Sequence, residues 1–293
     1  MSTIKKAVIP CGGMGTRFLP ITKSVPKEIL PVIDTPVLGH IVNEAIDSGI
    51  TDILIILGKG KEAIKSYFTP DPELEKKLRD KGNDAFADIV RKIGENARIS
   101  FEVQQKPLGS GDALLYAEKF VAGEPFCLAW GDDLIYADSP VMGQLIKAFE
   151  AKKASILGVQ TLLTDNIVQY GVADTGGVCL DADRCAPVKA IVEKPSLDKV
   201  PSRLAALGRY VLTPDIFDLI RKTPVAKNGE LQVTDSFNFM AEQGKLFAYD
   251  FIGKRYDMGD KLGSVCAIVD YAARDKNFGE AFKQFIKEYA KGL

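Results

Sequence analysis

Short apolar runs alternate with amphipathic segments through the first half of the chain, and this alternation restricts the fold more than any other feature. Five runs have the length and composition of buried strands: KKAVIP, DILIILG, ISFEVQQ, PFCLAW and SILGVQTL. Four other segments have helical apolar spacing: residues 37–48, KEAIKSYF, SGDALLYAEKFVAG and SPVMGQLIKAFEAKK. Strands separated by helices predict an α/β fold with a parallel sheet covered on both faces. The ligand crevice of such a fold lies at the carboxyl ends of the strands.

The pattern changes twice along the chain. Residues 70–98 are charged and helical in character, which predicts an inserted helical excursion or lid. From Tyr170 the chain contains short strands and turns, which predicts a β-rich half joined to the same sheet: YGVADTGG, VCLDAD, PVKAIVEKP and LAALGRYVL. The tail from Asp260 is helical, and its last segment, KNFGEAFKQFIKEYAKGL, could dock on the core or form a dimer contact.

Charge and cysteine content exclude several classes of protein. The net charge is −1 and the isoelectric point is near 6.0, which excludes the basic surface of a sequence-independent nucleic-acid-binding protein. No apolar stretch approaches the length of a membrane span, and MSTIKKAVIP does not resemble a targeting segment. The 5 cysteines are scattered without a CxxC pair, which favours free thiols. We therefore expect a cytoplasmic protein without nucleic-acid or membrane partners.

The chain has a single histidine, His40, and this limits the available chemistry. His40 lies in a segment of helical spacing, so we interpret it as an ordinary helix residue. A hydrolase triad or a histidine-based metal cage would have only this imidazole to use. The reactive groups are therefore expected among Lys, Arg, Asp, Glu and backbone amides.

A glycine-rich loop follows the first predicted strand. It contains Gly12, Gly13 and Gly15, but it lacks the GxxxxGK[ST] pattern of a P-loop. It also differs from a dinucleotide fingerprint, because Phe18 occupies the third glycine position and two prolines interrupt the following segment. A loop with so little side chain lets backbone amides approach a polyphosphate.

Three cations follow the glycines: Arg17, Lys23 and Lys27. An arginine fork can hold phosphate oxygens in a bidentate manner, and Lys27 lies in a turn stiffened by the preceding proline. The alternative is a flexible surface loop with solvated charges. The glycines and prolines together favour a phosphate site.

The glycine loop and the segment after it resemble the sequence signature of a known family. GGMGTRFLP followed by KSVPKEILPV resembles the signature of sugar-1-phosphate nucleotidylyltransferases, specifically the bacterial UTP–glucose-1-phosphate uridylyltransferase family. The resemblance continues in order through QQKPLGSGDA, WGDD, YG, VEKP, LGRYVL, GELQVTDS and YDMGDKLG. It implies one Rossmann-like nucleotide-diphospho-sugar transferase domain over residues 1–293, with a mixed, mainly parallel sheet. Residues 1–165 would form mainly the nucleotide half, 166–260 the sugar half, and 261–293 C-terminal helices in a homodimer or homotetramer.

The reaction implied by the resemblance joins two anions. Glucose 1-phosphate attacks the α-phosphorus of UTP, with Mg²⁺ as cofactor, and pyrophosphate leaves. The attacking phosphate is largely ionised near neutral pH, so no general base is needed. Three other functions stay open: the same reaction with dTTP, a catalytically silent sugar-nucleotide-binding module, and a nicotinamide-dependent dehydrogenase, against which the glycine pattern counts.

The resemblance also implies a role for each motif residue. Asp132 of WGDD and Asp257 of RYDMGD would bind the metal, although GDD alone is also a common turn sequence. Lys194 would hold the sugar phosphate and Glu193 the sugar hydroxyls, yet neighbours on a strand point to opposite faces, so one of them must be redirected. The implied catalytic residues are Arg17, Lys27, Asp132 and Lys194. Backbone approach to the sugar is expected at Gly171 and Gly208.

Nucleobase recognition is assigned to the QQKPLGSG segment. The amide of Gln104 could pair with the uracil edge, and Gly109 would offer backbone groups beside the glycine loop. A pyrimidine slot would exclude purines by size but would not strongly exclude thymine.

Asp112 departs from the family pattern, which commonly has histidine at this position. We interpret it as a helix-start residue turned away from the phosphates, since an acidic first turn suits the helix dipole. A contact with the nucleoside is the weaker alternative.

Overall fold

The computed structural model describes residues 4–226 and 229–293. Residues 1–3, which belong to the N-terminal segment interpreted above, lie outside the described residues, as do residues 227–228. The described strands are β1 Lys6–Cys11, β2 Pro31–Val32, β3 Thr35–Pro36, β4 Asp52–Gly58, β5 Arg98–Gln104, β6 Phe126–Ala129, β7 Asp133–Tyr136, β8 Ser155–Thr161, β9 Gly171–Asp174, β10 Cys185–Pro187, β11 Ala190–Glu193, β12 Leu204–Leu212, β13 Leu246–Asp250 and β14 Lys254–Asp257.

Ten of these strands form one sheet. Its main path runs β10-β13-β8-β12-β6-β1-β4-β5, and β9 and β11 attach beside β12. The pairs β6–β1, β1–β4, β4–β5 and β13–β8 are parallel, whereas β12 is antiparallel to both β6 and β8. The predicted α/β fold with a mixed, mainly parallel sheet is therefore confirmed.

Helices cover both faces of this sheet, as the predicted βαβ units require. They are α1 Val37–Asp47, α2 Glu62–Phe68, α3 Pro72–Asp80, α4 Asp84–Arg91, α5 Ser110–Leu115, α6 Glu118–Val121, α7 Val141–Lys152, α8 Ile216–Lys222, α9 Val233–Glu242, α10 Lys261–Arg274 and α11 Gly279–Ala290. Two buried clusters result, because the strands are apolar on both sides. One packs α1 and α7 against the sheet and the other packs α5, α8 and α9.

Most predicted elements are present, and the exceptions have local causes. The predicted helix SGDALLYAEKFVAG divides into α5 and α6, and it ends where Ala122 takes a left-handed conformation. VCLDAD, part of the predicted region of short strands and turns, forms turns in which Asp181 accepts hydrogen bonds from the backbone of Asp183 and Cys185. The excursion over 70–98 contains α3 and α4, and the strand β5 begins at its last residue.

A two-stranded ribbon stands apart from the main sheet. In it, β7 pairs antiparallel with β14, and Asp133 lies opposite Asp257. The ribbon brings the segment after β6 next to a segment more than a hundred residues further along the chain.

No helix in the ranges 4–226 and 229–293 combines the length and hydropathy that a bilayer crossing needs. His40 lies in α1, as expected, and its ring meets the Tyr271 ring edge-on at 5.0 Å between centroids.

Candidate active site

Two cavities adjoin each other at the carboxyl ends of β1 and β6. The glycine-loop cavity, of about 290 Å³, is lined by Gly12, Gly13, Lys27, Gln104, Asp132 and neighbouring residues. The Glu193 cavity, of about 280 Å³, is lined by Asp133, Tyr170, Gly171, Glu193, Gly208 and others. Three residues line both cavities and form the wall between them: Ser110, Trp130 and Gln232.

The consecutive aspartates of WGDD face different cavities. Asp132 lines the glycine-loop cavity, whereas Asp133 lines the Glu193 cavity. This segment also approaches β1 closely, since a Cβ atom built on Gly131 would lie 2.6 Å from Cys11 Sγ. The junction of the two cavities is therefore held directly at the end of β1.

The glycine loop brings bare backbone beside Lys27. A Cβ atom built on Gly13 would lie 3.4 Å from Lys27 Nζ, and Gly15 has a left-handed φ of 66°. Three short 3₁₀ turns carry the chain from the loop to Lys27, as the two prolines of this segment predict: Thr16–Phe18, Ile21–Lys23 and Lys27–Ile29. The predicted phosphate loop therefore has backbone access and a cation at the same place.

Lys27 and Asp132 form an ion pair inside the glycine-loop cavity. Lys27 Nζ donates to Asp132 Oδ2, and both side chains are largely shielded from solvent. Burial of Lys27 lowers the pKa of its ammonium, but the charge and hydrogen bond of Asp132 more than offset this, so the pKa is raised. Lys27 is therefore held as a cation beside the cavity.

The ribbon brings the two predicted metal ligands together. A Cβ atom built on Gly259 would lie 3.0 Å from Asp257 Oδ1 and 3.3 Å from Asp132 Oδ2, so both carboxylates face one point. The described residues contain no group of three or more His, Cys, Asp or Glu side chains that could hold a metal. Two carboxylates fit a divalent cation such as Mg²⁺ whose remaining ligands are water and substrate phosphate oxygens.

Arg17 lies against the same segment. Its Nη1 donates to the carbonyl oxygen of Gly259 at 3.2 Å, and the side chain is exposed. Arg17 thus lies beside the two carboxylates, although it lines neither cavity.

Asp133 and Arg255 form a buried pair that sequence reasoning missed. Arg255 Nε donates to Asp133 Oδ1 at 2.6 Å, and its Nη1 donates to the Tyr170 hydroxyl at 2.8 Å. Burial raises the pKa of Asp133, while Arg255 opposes that shift. The pair fixes the floor of the Glu193 cavity. In the sequence, Arg255 is visible only as the first residue of the RYDMGD motif, a cation to which no role was assigned.

A second buried pair supports the glycine-loop cavity. Lys61 Nζ donates to Glu28 Oε1 at 2.6 Å, and only 1% of Glu28 is exposed. Burial raises the pKa of the Glu28 carboxyl although Lys61 opposes the shift. The sequence contained no local signal for this pairing, because Lys61 follows β4 and Glu28 follows the glycine loop.

Gln104 lies at the end of β5 with most of its amide already engaged. Its Nε2 donates to Asp112 Oδ2 at 2.7 Å and to the Gly109 carbonyl oxygen at 3.2 Å. Only 5% of Gln104 is exposed, and it lines the glycine-loop cavity. Asp112 lies in the first turn of α5, as predicted, but it also contacts Gln104.

The predicted nucleobase segment is fastened to the GELQ motif. Leu231 N donates to the Leu108 carbonyl at 2.7 Å, and Gly111 N donates to the Leu231 carbonyl at 2.8 Å. Gly109 has a φ of 103°, and a Cβ atom there would lie 2.5 Å from the Leu231 carbonyl oxygen. Close approach at Gly109 is therefore explained by Leu231. We call these two hydrogen bonds the Leu231 latch.

The Glu193 cavity contains part of the predicted sugar site. Gly171 lies opposite Glu193 in the β9–β11 pair, and Thr234 Oγ1 donates to Glu193 Oε2 at 3.2 Å. β11 ends at Glu193, and Lys194 turns away from the strand with a left-handed φ of 45°. The ammonium of Lys194 lies 3.9 Å from Glu193 Oε1, outside the residues that line the cavity, and its side chain is 66% exposed.

Gly208 interrupts β12 with a φ of 65°, at a shift in the pairing with β8. A Cβ atom built there would collide with the Asp133 carboxylate. Gly208 lines the Glu193 cavity, and the close approach that requires glycine is to Asp133.

Comparisons with known proteins identify the family of this chain. A model of the nucleotidyl transferase family matches residues 6–274. The chain is 41% identical over 287 residues to a UTP–glucose-1-phosphate uridylyltransferase of Bacillus subtilis, which covers 98% of this chain and 97% of that protein.

Two solved structures extend the comparison. One is a UTP-bound UGPase from Acinetobacter baumannii, with a TM-score of 0.90 and 33% identity over 97% of this chain and 99% of that one. The other is a UDP-glucose pyrophosphorylase complexed with UDP-glucose, with a TM-score of 0.82 and 35% identity over 93% and 100%. The chain therefore belongs to the nucleotidyl transferase family, together with these UTP–glucose-1-phosphate uridylyltransferases.

Proposed function

We propose that this protein transfers the uridylyl group of UTP to glucose 1-phosphate and releases pyrophosphate. The observation that carries the proposal is the shared wall of the two cavities, across which Asp132 and Asp133 face opposite sides. A nucleotide in the glycine-loop cavity and a sugar in the Glu193 cavity would meet at this wall. The names of the relatives support the choice of substrates, since they are a uridylyltransferase, a UTP-bound enzyme and a UDP-glucose complex.

The reaction needs positioning and charge neutralisation more than proton transfer. An ionised phosphate oxygen of glucose 1-phosphate attacks the α-phosphorus of UTP and forms a new P–O bond. The bond from the α-phosphorus to the oxygen that bridges to the β-phosphorus breaks, and pyrophosphate leaves with that electron pair. Holding the two anions in line lowers the barrier, because the reactants no longer need to find each other in solution.

Lys27 and Arg17 would act on the triphosphate. Lys27 lies beside the glycine loop and keeps its charge in the cavity, so it can stabilise negative charge that moves toward the leaving pyrophosphate. The backbone of Gly12, Gly13 and Gly15 can approach the phosphates closely. Arg17 would turn from the Gly259 carbonyl toward the phosphates.

Members of this family generally use a divalent metal, and we propose Mg²⁺ held by Asp132 and Asp257. The bound ion would neutralise phosphate charge and orient the α-phosphoryl group. Asp132 would then bind both the ion and Lys27.

The sugar phosphate would be held by Lys194, and the hydroxyl groups of the sugar by Glu193 and the backbone near Gly171 and Gly208. Lys194 lies close enough to Glu193 that a phosphate at the cavity mouth can draw its ammonium inward. Gln104 and the Gly109 segment would contact the nucleobase.

An assay of pyrophosphate release tests the proposal. Glucose 1-phosphate and Mg²⁺ are supplied with UTP, dTTP, CTP or ATP in turn, and we expect the highest kcat/KM with UTP. Higher kcat/KM with dTTP would assign the thymidylyl reaction instead. Absence of pyrophosphate release with every nucleotide would leave a binding module and overturn the proposal.

Two further proposals concern assembly and compartment. The C-terminal helices expose apolar side chains, among them Val265, Phe285 and Tyr289, which supports a homodimer or homotetramer formed through this face. Light scattering coupled to size exclusion tests this, and a monomeric mass would contradict it. All five cysteines lie within the described residues and are free thiols, which supports a reducing cytoplasmic compartment.

A further inference from the structure

We infer that Asp112 is a positioning residue that fixes the Gln104 side-chain amide with only its carbonyl oxygen available to the nucleobase. This makes the glycine-loop cavity selective for bases that carry an N3–H group. The inference rests on the proposed function, because it assumes that the nucleobase of UTP meets Gln104. It goes further in that it assigns the choice between uracil and cytosine to a residue outside the cavity lining.

The partners of Gln104 determine which end of the amide is which. Its Nε2 faces the Asp112 carboxylate at 2.7 Å and the Gly109 carbonyl at 3.2 Å. Both partners are acceptors, and an amide nitrogen has two hydrogens to donate. The reverse orientation would bring Gln104 Oε1 against two acceptor oxygens without a hydrogen between them. The amide therefore has its two donors engaged inside the protein.

The carbonyl end of Gln104 faces the glycine loop. A Cβ atom built on Gly12 would lie 2.9 Å from Gln104 Oε1, and both residues line the glycine-loop cavity. The group that a ligand meets is an acceptor held in place by a buried side chain. The sequence alone left all the hydrogen-bonding groups of this amide available to a base.

A fixed acceptor discriminates between the pyrimidines. Uracil and thymine carry a donor at N3, which can pair with Gln104 Oε1. Cytosine has a lone pair at N3, so the same placement sets two acceptors against each other and leaves both without a hydrogen. The inference therefore separates UTP from CTP and does not separate UTP from dTTP.

Of the two acceptors that oppose the alternative orientation, the Asp112 carboxylate is the charged one and makes the shorter hydrogen bond. A carboxylate can only accept, so it binds the amide nitrogen and repels the amide oxygen. Asparagine in its place could donate to a reversed Gln104 amide, which would then present its nitrogen to the base. Asp112→Asn keeps the shape of the side chain, removes its negative charge and adds a hydrogen-bond donor.

The first experiment measures kcat/KM for UTP and for CTP with glucose 1-phosphate in wild type, Asp112→Asn and Asp112→Ala. We expect the UTP-to-CTP ratio to fall by about ten- to a hundredfold in both variants, because each loses a charge-assisted hydrogen bond that set the orientation. The matched control is Glu118→Gln, which removes an acid from the first turn of α6 that pairs with Arg221. An unchanged ratio in Asp112→Asn and Asp112→Ala would overturn the inference.

A double-mutant cycle separates positioning from a general structural effect. In a Gln104→Ala background, Asp112→Asn should leave the ratio unchanged, because the group that it positions is absent. If the ratio still falls in that background, Asp112 acts by another route and the inference is wrong. Circular dichroism and thermal melting of each variant identify any loss of folding.

Equilibrium binding distinguishes failure of the inference from failure of the proposed function. Trp130 is the single tryptophan and lines both cavities, so its fluorescence reports nucleotide binding without turnover. We expect UTP to bind more tightly than CTP in wild type, and the two affinities to converge in Asp112→Asn. Convergence in an inactive enzyme would support the inference while the proposed function fails. Equal discrimination in both proteins would contradict the inference even if the enzyme is active with UTP.

Discussion

The two cavities differ in how far their functional groups are already in place. In the glycine-loop cavity, Lys27 is paired with Asp132 and the Gln104 amide is held by its neighbours. In the Glu193 cavity the floor is fixed by Asp133 and Arg255, but Lys194 remains a largely exposed side chain at the mouth. The glycine-loop cavity, where we propose that the nucleotide binds, is therefore preorganised, whereas Lys194 lies outside the lining of the Glu193 cavity.

This difference between the cavities predicts whether a residue mainly affects kcat or mainly affects substrate affinity. A preorganised group loses little entropy when its ligand arrives, so its contribution can act on the transition state. A mobile lysine must be ordered by the ligand, and its effect appears mainly in substrate affinity. The variants below test this contrast, beginning with the largest expected effect.

Replacement of Asp132 should cause the largest loss. Asp132→Asn removes a charge that holds both Lys27 and the proposed Mg²⁺, so we expect kcat to fall by about a hundredfold or more with the fold intact. The measurement is steady-state turnover over a Mg²⁺ titration, with circular dichroism on the same sample. Asp138→Asn, an exposed acid two residues after the end of β7, is the control. Turnover close to wild type at saturating Mg²⁺ would exclude Asp132 as a ligand.

Lys27 and Lys194 should separate kinetically. Lys27→Ala should lower kcat by about ten- to a hundredfold, since its cation already lies beside the glycine loop, where we propose that the triphosphate binds. Lys194→Ala should chiefly raise the KM for glucose 1-phosphate. Lys147→Ala, at an exposed position outside both cavities, controls for loss of a lysine. Equal changes in kcat and KM for the two site variants would remove the contrast between the cavities.

Gly208 tests the fixed floor of the Glu193 cavity. Gly208→Ala should destabilise the fold by about 1–3 kcal/mol more than Gly177→Ala, because both residues have positive φ but only the first new methyl would meet a carboxylate. Urea denaturation of both variants gives the comparison. Equal losses would show that Asp133 moves aside at little cost, and that the floor is not rigid.

The smallest expected effect lies outside both cavities, at His40. Burial lowers the pKa of this imidazole, more than the backbone of Val32 and the charge of Asp34 raise it. A folded-state pKa below the unfolded value gives a stabilising contribution that is present above about pH 6.5 and is lost as pH falls through the folded value.

We therefore expect the free energy of unfolding to fall less on acidification in His40→Gln than in wild type. Denaturation at about pH 7.5 and about pH 5.5 measures this difference. The single imidazole also gives a direct check, because its NMR titration midpoint should lie below about 6.5. A midpoint above that value would contradict the assignment to burial.

Local pattern was sufficient for most of the fold. The runs that became β1 and β4 are apolar after their first residue, β6 is apolar throughout, and such runs are typical of buried strands. The antiparallel direction of β12 could not be predicted from local pattern, because the direction of a strand depends on which distant strand it pairs with. In the region predicted as short strands and turns, the segment around Asp181 forms a turn because the side chain of Asp181 binds nearby backbone amides in place of strand pairing.

The same distinction between local pattern and long-range contact applies to the residues of the candidate site. The positions of the glycine loop and of Asp132 after strand ends could be predicted, because each motif follows an apolar run. Arg255 and Gln232 could not, since their partners lie on other segments. The position of Asp257 opposite Asp133 also follows from long-range pairing. What the sequence omits is mainly the contact between residues that are far apart along the chain.

The Leu231 latch has a consequence for recombining this chain with relatives. It fastens two loops whose residues are about 120 positions apart, as Ser110 and Gln232 are, through backbone atoms that leave no room for a side chain at Gly109. A chimaera that exchanged only one of these loops would combine two segments that were not selected to form these hydrogen bonds together. The two loops therefore form one exchangeable module, although the sequence presents them as separate motifs.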